Sequence, residues 1–109
     1  MARFITILLL AAAFAAVARA DGASVMAGHA YARAECARCH AIREDEMWSP
    51  NPKAPPFNRI ANASGMTGAA LLVILQTPHR EMPDLIIPQQ EKADLVDYIL
   101  SLKRETGKH

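Results

Sequence analysis

The chain has only two cysteines in 109 residues, so a scaffold of several disulfides is excluded and no second pair can complete a four-cysteine zinc site. It also lacks a dominant charge: 12 Lys plus Arg stand against 11 Asp plus Glu. No polyanion-binding surface follows from that balance, and nucleic acid is not expected as a partner. No segment longer than four residues alternates convincingly between apolar and polar, which predicts no sheet. Internal repeats are absent, and the length leaves room for one small domain.

What is present is unevenly spread. Arg3 precedes an apolar run over residues 4–17, closed by Ala18-Arg19-Ala20. The run falls short of the roughly 20 residues that span a bilayer, and small residues stand at Ala18 and Ala20, where signal peptidase recognises them. The pattern predicts a signal peptide over 1–20, cleaved after Ala20, followed by one domain over 21–109. Retained, the same run would be a membrane anchor. Asp21 follows the cleavage point in place of a cysteine, which argues against a lipid-anchored form. Processing would leave 89 residues, with 10 basic and 11 acidic side chains and 39 apolar residues. That is not a generous core, so a staple is expected, and Cys36 and Cys39 are the residues available for it.

Three uses compete for a C-x-x-C pair in an exported chain: a redox-active disulfide, half of a zinc site, and covalent attachment of haem. A structural zinc ion needs four ligands, and His29, His79 and His109 lack the paired spacing of a finger. A thioredoxin-like dithiol needs a preceding strand and a βαβ setting, which the residues around Cys36 do not offer. His40 decides among the three. Cys36-Ala37-Arg38-Cys39-His40 matches the c-type haem attachment motif. On a helix, positions i, i+3 and i+4 share a face. Cys36 and Cys39 are therefore each expected to form a thioether with one haem vinyl group, while His40 turns its imidazole to the iron. One covalent haem c, held at three points, is the expected cofactor.

On these residues the chain resembles the class I c-type cytochromes of bacterial periplasms. The likeness extends to Gly28 and Tyr31 in the segment leading into the motif, and to Leu95 and Tyr98 near the C-terminus. It covers nearly all of residues 25–103 and is weakest over 47–75. The resemblance implies an all-α class I cytochrome c fold, with N- and C-terminal helices crossing closely at the glycine and further short helices wrapped around one haem. It also implies a proline carbonyl in contact with the iron-binding histidine, and a Met-Pro axial segment, here Met82-Pro83.

The Ala-rich stretch from residue 25 to about 41 reads as one helix with Ser24 as its N-cap. Gly28 in its second turn costs about 1 kcal/mol relative to Ala, which a close helix crossing would justify. Pro50, Pro52, Pro55 and Pro56 then hold an extended loop. The carbonyl of Pro55 or Pro56 is a candidate acceptor for the proton on the far ring nitrogen of His40; a rigid connector without that contact is the alternative. Pro56 suits the first position of a short helix through Phe57, Ile60 and Ala61. Another helix is expected from Thr67, as cap, to Gln76, with Pro78 opposing its continuation. Its segment 69–75 is apolar on every side and must be buried, for which a haem face offers a surface. The last helix begins near Pro88, carries Leu95, Val96, Ile99 and Leu102 at helical spacing, and ends towards Lys103 and Arg104.

An iron bound by His40 has one more axial position, whose occupant separates an electron carrier from a sensor or catalyst. Met82 is the first candidate, in a short loop 42 residues beyond His40; His79 on the same loop is its rival, followed by Met66. His29 is expected to face solvent or to pack. His/Met ligation raises the reduction potential relative to two imidazoles and fills the coordination sphere, which points to outer-sphere electron transfer. Trp48, Asn58 and Arg59 are weaker candidates for the haem environment, with core packing the default for Trp48 and the surface for Arg59. Arg38 and Arg80 are candidate basic groups beside a haem edge, with a solvated surface as the default. The expected protein is a periplasmic monohaem carrier between a redox donor and a redox acceptor protein, with no catalytic residue and no membrane contact unless the leader is retained. The alternatives are a haem c subunit of a dehydrogenase complex, and a sensor or peroxidase-like protein with an open or labile sixth ligand.

Overall fold

The computed structural model describes residues 22–77, 82 and 86–104. The expected leader over 1–20, and the tail after Arg104, lie outside the described residues. Every regular element among the described residues is helical: α1 over 22–35, α2 over Phe57–Ala61, α3 over Gly68–Gln76 and α4 over Gln89–Ser101. None of them is long and apolar enough to cross a membrane.

The helix ends show what local sequence can and cannot specify. Thr67 caps α3 as expected, its hydroxyl accepting from the Ala70 N–H at 3.1 Å. Pro56 stands one position outside α2, at φ −59° and ψ 143°, in place of the first helical position. Its ring supplies the φ, while the free N–H of Phe57 goes to the Ala41 carbonyl at 2.8 Å. Between α2 and α3 the chain reverses through Gly65, whose φ of +75° suits a residue without Cβ. Ser24 does not cap α1. It is already helical, and its hydroxyl lies between the carboxylates of Asp94 at 3.1 Å and Asp97 at 2.5 Å on α4. A side chain engaged across a helix pair leaves nothing for its own helix end. The first helix also stops at 35 and not near 41: the Ala32 carbonyl accepts from both Cys36 N–H and Ala37 N–H, and the second bond, spanning five residues, widens the last turn and ends the helix.

Helices α1 and α4 meet where Gly28 has no side chain. A Cβ built there would lie 2.0 Å from the carbonyl oxygen of Asp94 and 2.7 Å from the Cβ of Tyr98. The close approach lets Ala32, Leu95, Val96, Tyr98 and Ile99 join Leu71, Phe57 and Leu102 in one buried core. Complete burial of Leu71, Leu95 and Ile99 contributes roughly 1.5–3 kcal/mol each. The four apolar positions expected of the last helix segment, Leu95, Val96, Ile99 and Leu102, are all buried.

The polypeptide itself supplies little of the burial expected for residues 69–75 of α3, for which a haem face is the expected cover. Only Leu71 is buried, while Leu72 and Val73 are exposed. The N-terminal end of the helix leans on α4, with Gly68 beside Leu100 and Val96, so one side docks while the described residues leave Leu72 and Val73 uncovered. Lys103 Nζ donates to the Met66 carbonyl at 2.8 Å, and the Arg104 N–H to Asn62 Oδ1 at 2.7 Å, tying the end of α4 to the α2–α3 turn.

Gly28→Ala is expected to force α1 and α4 apart, because the obstacle is main chain and cannot rotate away. The loss of stability should be about 3 kcal/mol, measured by urea unfolding.

Candidate functional site

The C-x-x-C-H segment occupies the turn that follows α1. Cys39 N–H and His40 N–H both donate to the Cys36 carbonyl, at 3.1 and 2.9 Å, so one helical turn carries both thiols and the imidazole. Both cysteines are free and half-buried. Burial pushes the Cys36 thiol up to about 11, with the Glu35 carboxylate adding to the shift. A dithiol oxidoreductase needs the opposite, a thiol whose pKa is lowered to give thiolate near neutral pH.

His40 is oriented by the proline loop. Its Nδ1 lies 2.7 Å from the Pro55 carbonyl oxygen. A carbonyl only accepts, so Nδ1 carries the proton, and in the neutral ring Nε2 is left with its lone pair free for a metal. Pro55 therefore makes the contact for which Pro55 and Pro56 were both candidates, and Pro56 is buried beside it. The Phe57 ring packs near His40, with centroids 5.3 Å apart at 48°.

The residues on either side of His40 are held as firmly as the ring. Ala41 and Ile42 are buried; Ala41 N–H donates to Ser49 Oγ at 3.0 Å, and the Ile42 carbonyl accepts from the Tyr98 hydroxyl at 2.6 Å. Asn51 N–H donates to the Cys39 carbonyl at 3.1 Å. Burial, reinforced by Glu46 and opposed by Arg43, holds the Tyr98 phenol above its ordinary range, so it remains a donor. Asn58 is buried as well. Its amide spans the preceding loop, donating to the Glu44 carbonyl at 3.0 Å and contacting the Met47 sulfur at 3.3 Å.

The remaining candidates are scattered. Met82 is half-buried, the one described residue of the 78–85 segment; His79 and Arg80 lie outside the described residues. Met66 packs against the core. His29 stacks on Tyr98, with centroids 4.8 Å apart, and its Nε2 is buried without a hydrogen-bond partner among the described residues. Arg38 and Arg59 are on the surface. Trp48 is not a core residue: it is 87% exposed. In this irregular stretch Ser49 turns inward to Ala41, and its neighbour faces outward. The Asn58 amide is engaged by the preceding loop. Sequence reasoning missed Ser49, Asn51 and the Tyr98 hydroxyl as supports, because Ser and Asn between prolines signal only a turn.

The donor set suits a metal carried on a macrocycle. Among the described residues no three His, Cys, Asp or Glu side chains converge to form a metal cage. Cys36, Cys39 and His40 instead offer three separate points of attachment on one turn, which is what a large planar group with one metal and two reactive edge substituents requires.

Asn58→Ala should lower stability by about 1–3 kcal/mol, since it leaves the Glu44 carbonyl without its donor; urea unfolding measures the loss.

No protein-family model, no curated protein and no solved structure matches the chain.

Proposed function

We propose that this chain is an exported monohaem c-type electron carrier of the class I kind, working in the periplasm between a donor and an acceptor redox protein. The observation that carries the reading is the hydrogen bond from His40 Nδ1 to the Pro55 carbonyl, one residue beyond a C-x-x-C pair with free thiols. It fixes the tautomer and the plane of the ring and makes Nε2 a stronger donor. Cys36 and Cys39 are assigned the two thioethers, His40 the proximal iron position and Met82 the distal one. Bound there, haem c supplies a one-electron iron couple with no free coordination site.

The chain's own part is to hold these groups still. The turn at 36–40, the clasp of Ser49, Asn51 and Pro55 around it, and the Tyr98 bond to Ile42 keep His40 in one pose in both oxidation states. Exposed Leu72 and Val73 on a helix without charge supply apolar surface of the type a porphyrin face covers. The leader reading places the chain where haem attachment takes place.

Absorption spectra of the protein from the periplasm, oxidised and reduced, together with a denaturing gel stained for haem peroxidase activity, test the cofactor and its ligand. Haem retained on the denatured chain is expected, with the weak far-red ferric band of sulfur-ligated iron. A colourless protein would return Cys36 and Cys39 to dithiol chemistry. Met82→Ala should open the iron, so that the reduced variant binds carbon monoxide without denaturant while the parent does not. Equal binding by both would remove Met82 from the axial position.

A further inference from the structure

We infer that Ser49 is a positioning residue for His40, acting through the buried amide of Ala41; the inference rests on the reading of His40 as the iron ligand. Four contacts wrap residues 49–57 around residues 39–41. Asn51 N–H donates to the Cys39 carbonyl at 3.1 Å, Ser49 Oγ accepts from Ala41 N–H at 3.0 Å, the Pro55 carbonyl accepts from His40 Nδ1 at 2.7 Å, and Phe57 N–H donates to the Ala41 carbonyl at 2.8 Å. On the loop side, three of the four are made by main chain and survive a change of side chain. Only Ser49 contributes through its side chain.

Ala41 is fully buried, so its N–H cannot turn to water when the hydroxyl is removed. The residue has to move to find an acceptor, and His40 is bonded directly to it. Movement there lengthens the bond to Pro55, leaves the proton more firmly on Nδ1 and makes the ring a weaker donor at Nε2. The ferric state depends more on that donation than the ferrous state does. Loss of the hydroxyl therefore raises the reduction potential and lets water reach the Nδ1 proton. Trp48 and Met47 beside Ser49 are exposed, so no packing from these neighbours replaces the lost contact.

Ser49→Thr and Ser49→Val test this in the full-length protein, because the two side chains have nearly the same shape and differ in the hydroxyl. The readouts are solvent exchange of the His40 Nδ1 proton, followed by NMR in the reduced diamagnetic state, and the reduction potential. The threonine variant should match the parent in both. The valine variant should exchange on the order of tenfold faster, the factor that corresponds to one lost hydrogen bond, and have a higher potential. Equal exchange and equal potential in parent, threonine and valine proteins would overturn the inference, as would a threonine variant that behaves like valine. Ser49→Ala, which adds no bulk, provides the same comparison if the valine side chain disrupts the loop. Absence of covalent haem from the parent would refute the iron-ligand reading alone; proton exchange in the threonine and valine proteins would still show whether Ser49 holds His40.

Discussion

The arrangement depends on one close contact, the approach of α1 to the main chain of α4 at Gly28. Because no Cβ separates the helices there, Tyr98 comes close enough to stack on His29 and to reach the Ile42 carbonyl with its hydroxyl. That bond secures the chain just after His40. The crossing thus links the packing of the two long helices to the pose of the candidate metal ligand. Under the proposed electron-carrier reading such rigidity is an advantage, since a ligand that moves between oxidation states adds to the reorganisation that accompanies each transfer.

The proline loop completes what the crossing begins. Proline donates no N–H, so the Pro55 carbonyl lies in a segment with little local competition for it, and the ring of His40 takes it. Asn58, spent on the Glu44 carbonyl, keeps residues 44–47 from fraying away from that loop. The polar groups gathered here are mostly satisfied among themselves, which is how a small chain with a modest core secures an irregular segment against α2 and α4.

Much of this was legible in the residues. The missing alternation ruled out sheet, the Thr67 cap and the two prolines before α2 and α4 marked helix starts, and Gly28 in an Ala-rich helix called for a close neighbour. Trp48 read as a core residue because indoles usually are, yet an inward Ser49 turns it to solvent. Segment 69–75 read as buried because it carries no charge, yet among the described residues only Leu71 is fully buried, with Leu75 packed partly against the core. Hydropathy states what a side chain would prefer; which surface is within reach depends on how the helices dock.

The sequence by itself determined the elements and the donor set: helix periodicity, capping chemistry and the spacing of Cys36, Cys39 and His40 act over a few residues, so they can be read along the chain. Tertiary structure alone decided that Pro55 rather than Pro56 meets His40, that Ser24 bridges to Asp94 and Asp97 and caps nothing, and that Ser49 and Tyr98 secure the residues after the motif. Each of these rests on one or two hydrogen bonds between groups distant along the chain or in an irregular loop. A hydroxyl or carbonyl has many possible partners in sequence, and only the packed backbone brings one of them within hydrogen-bonding distance.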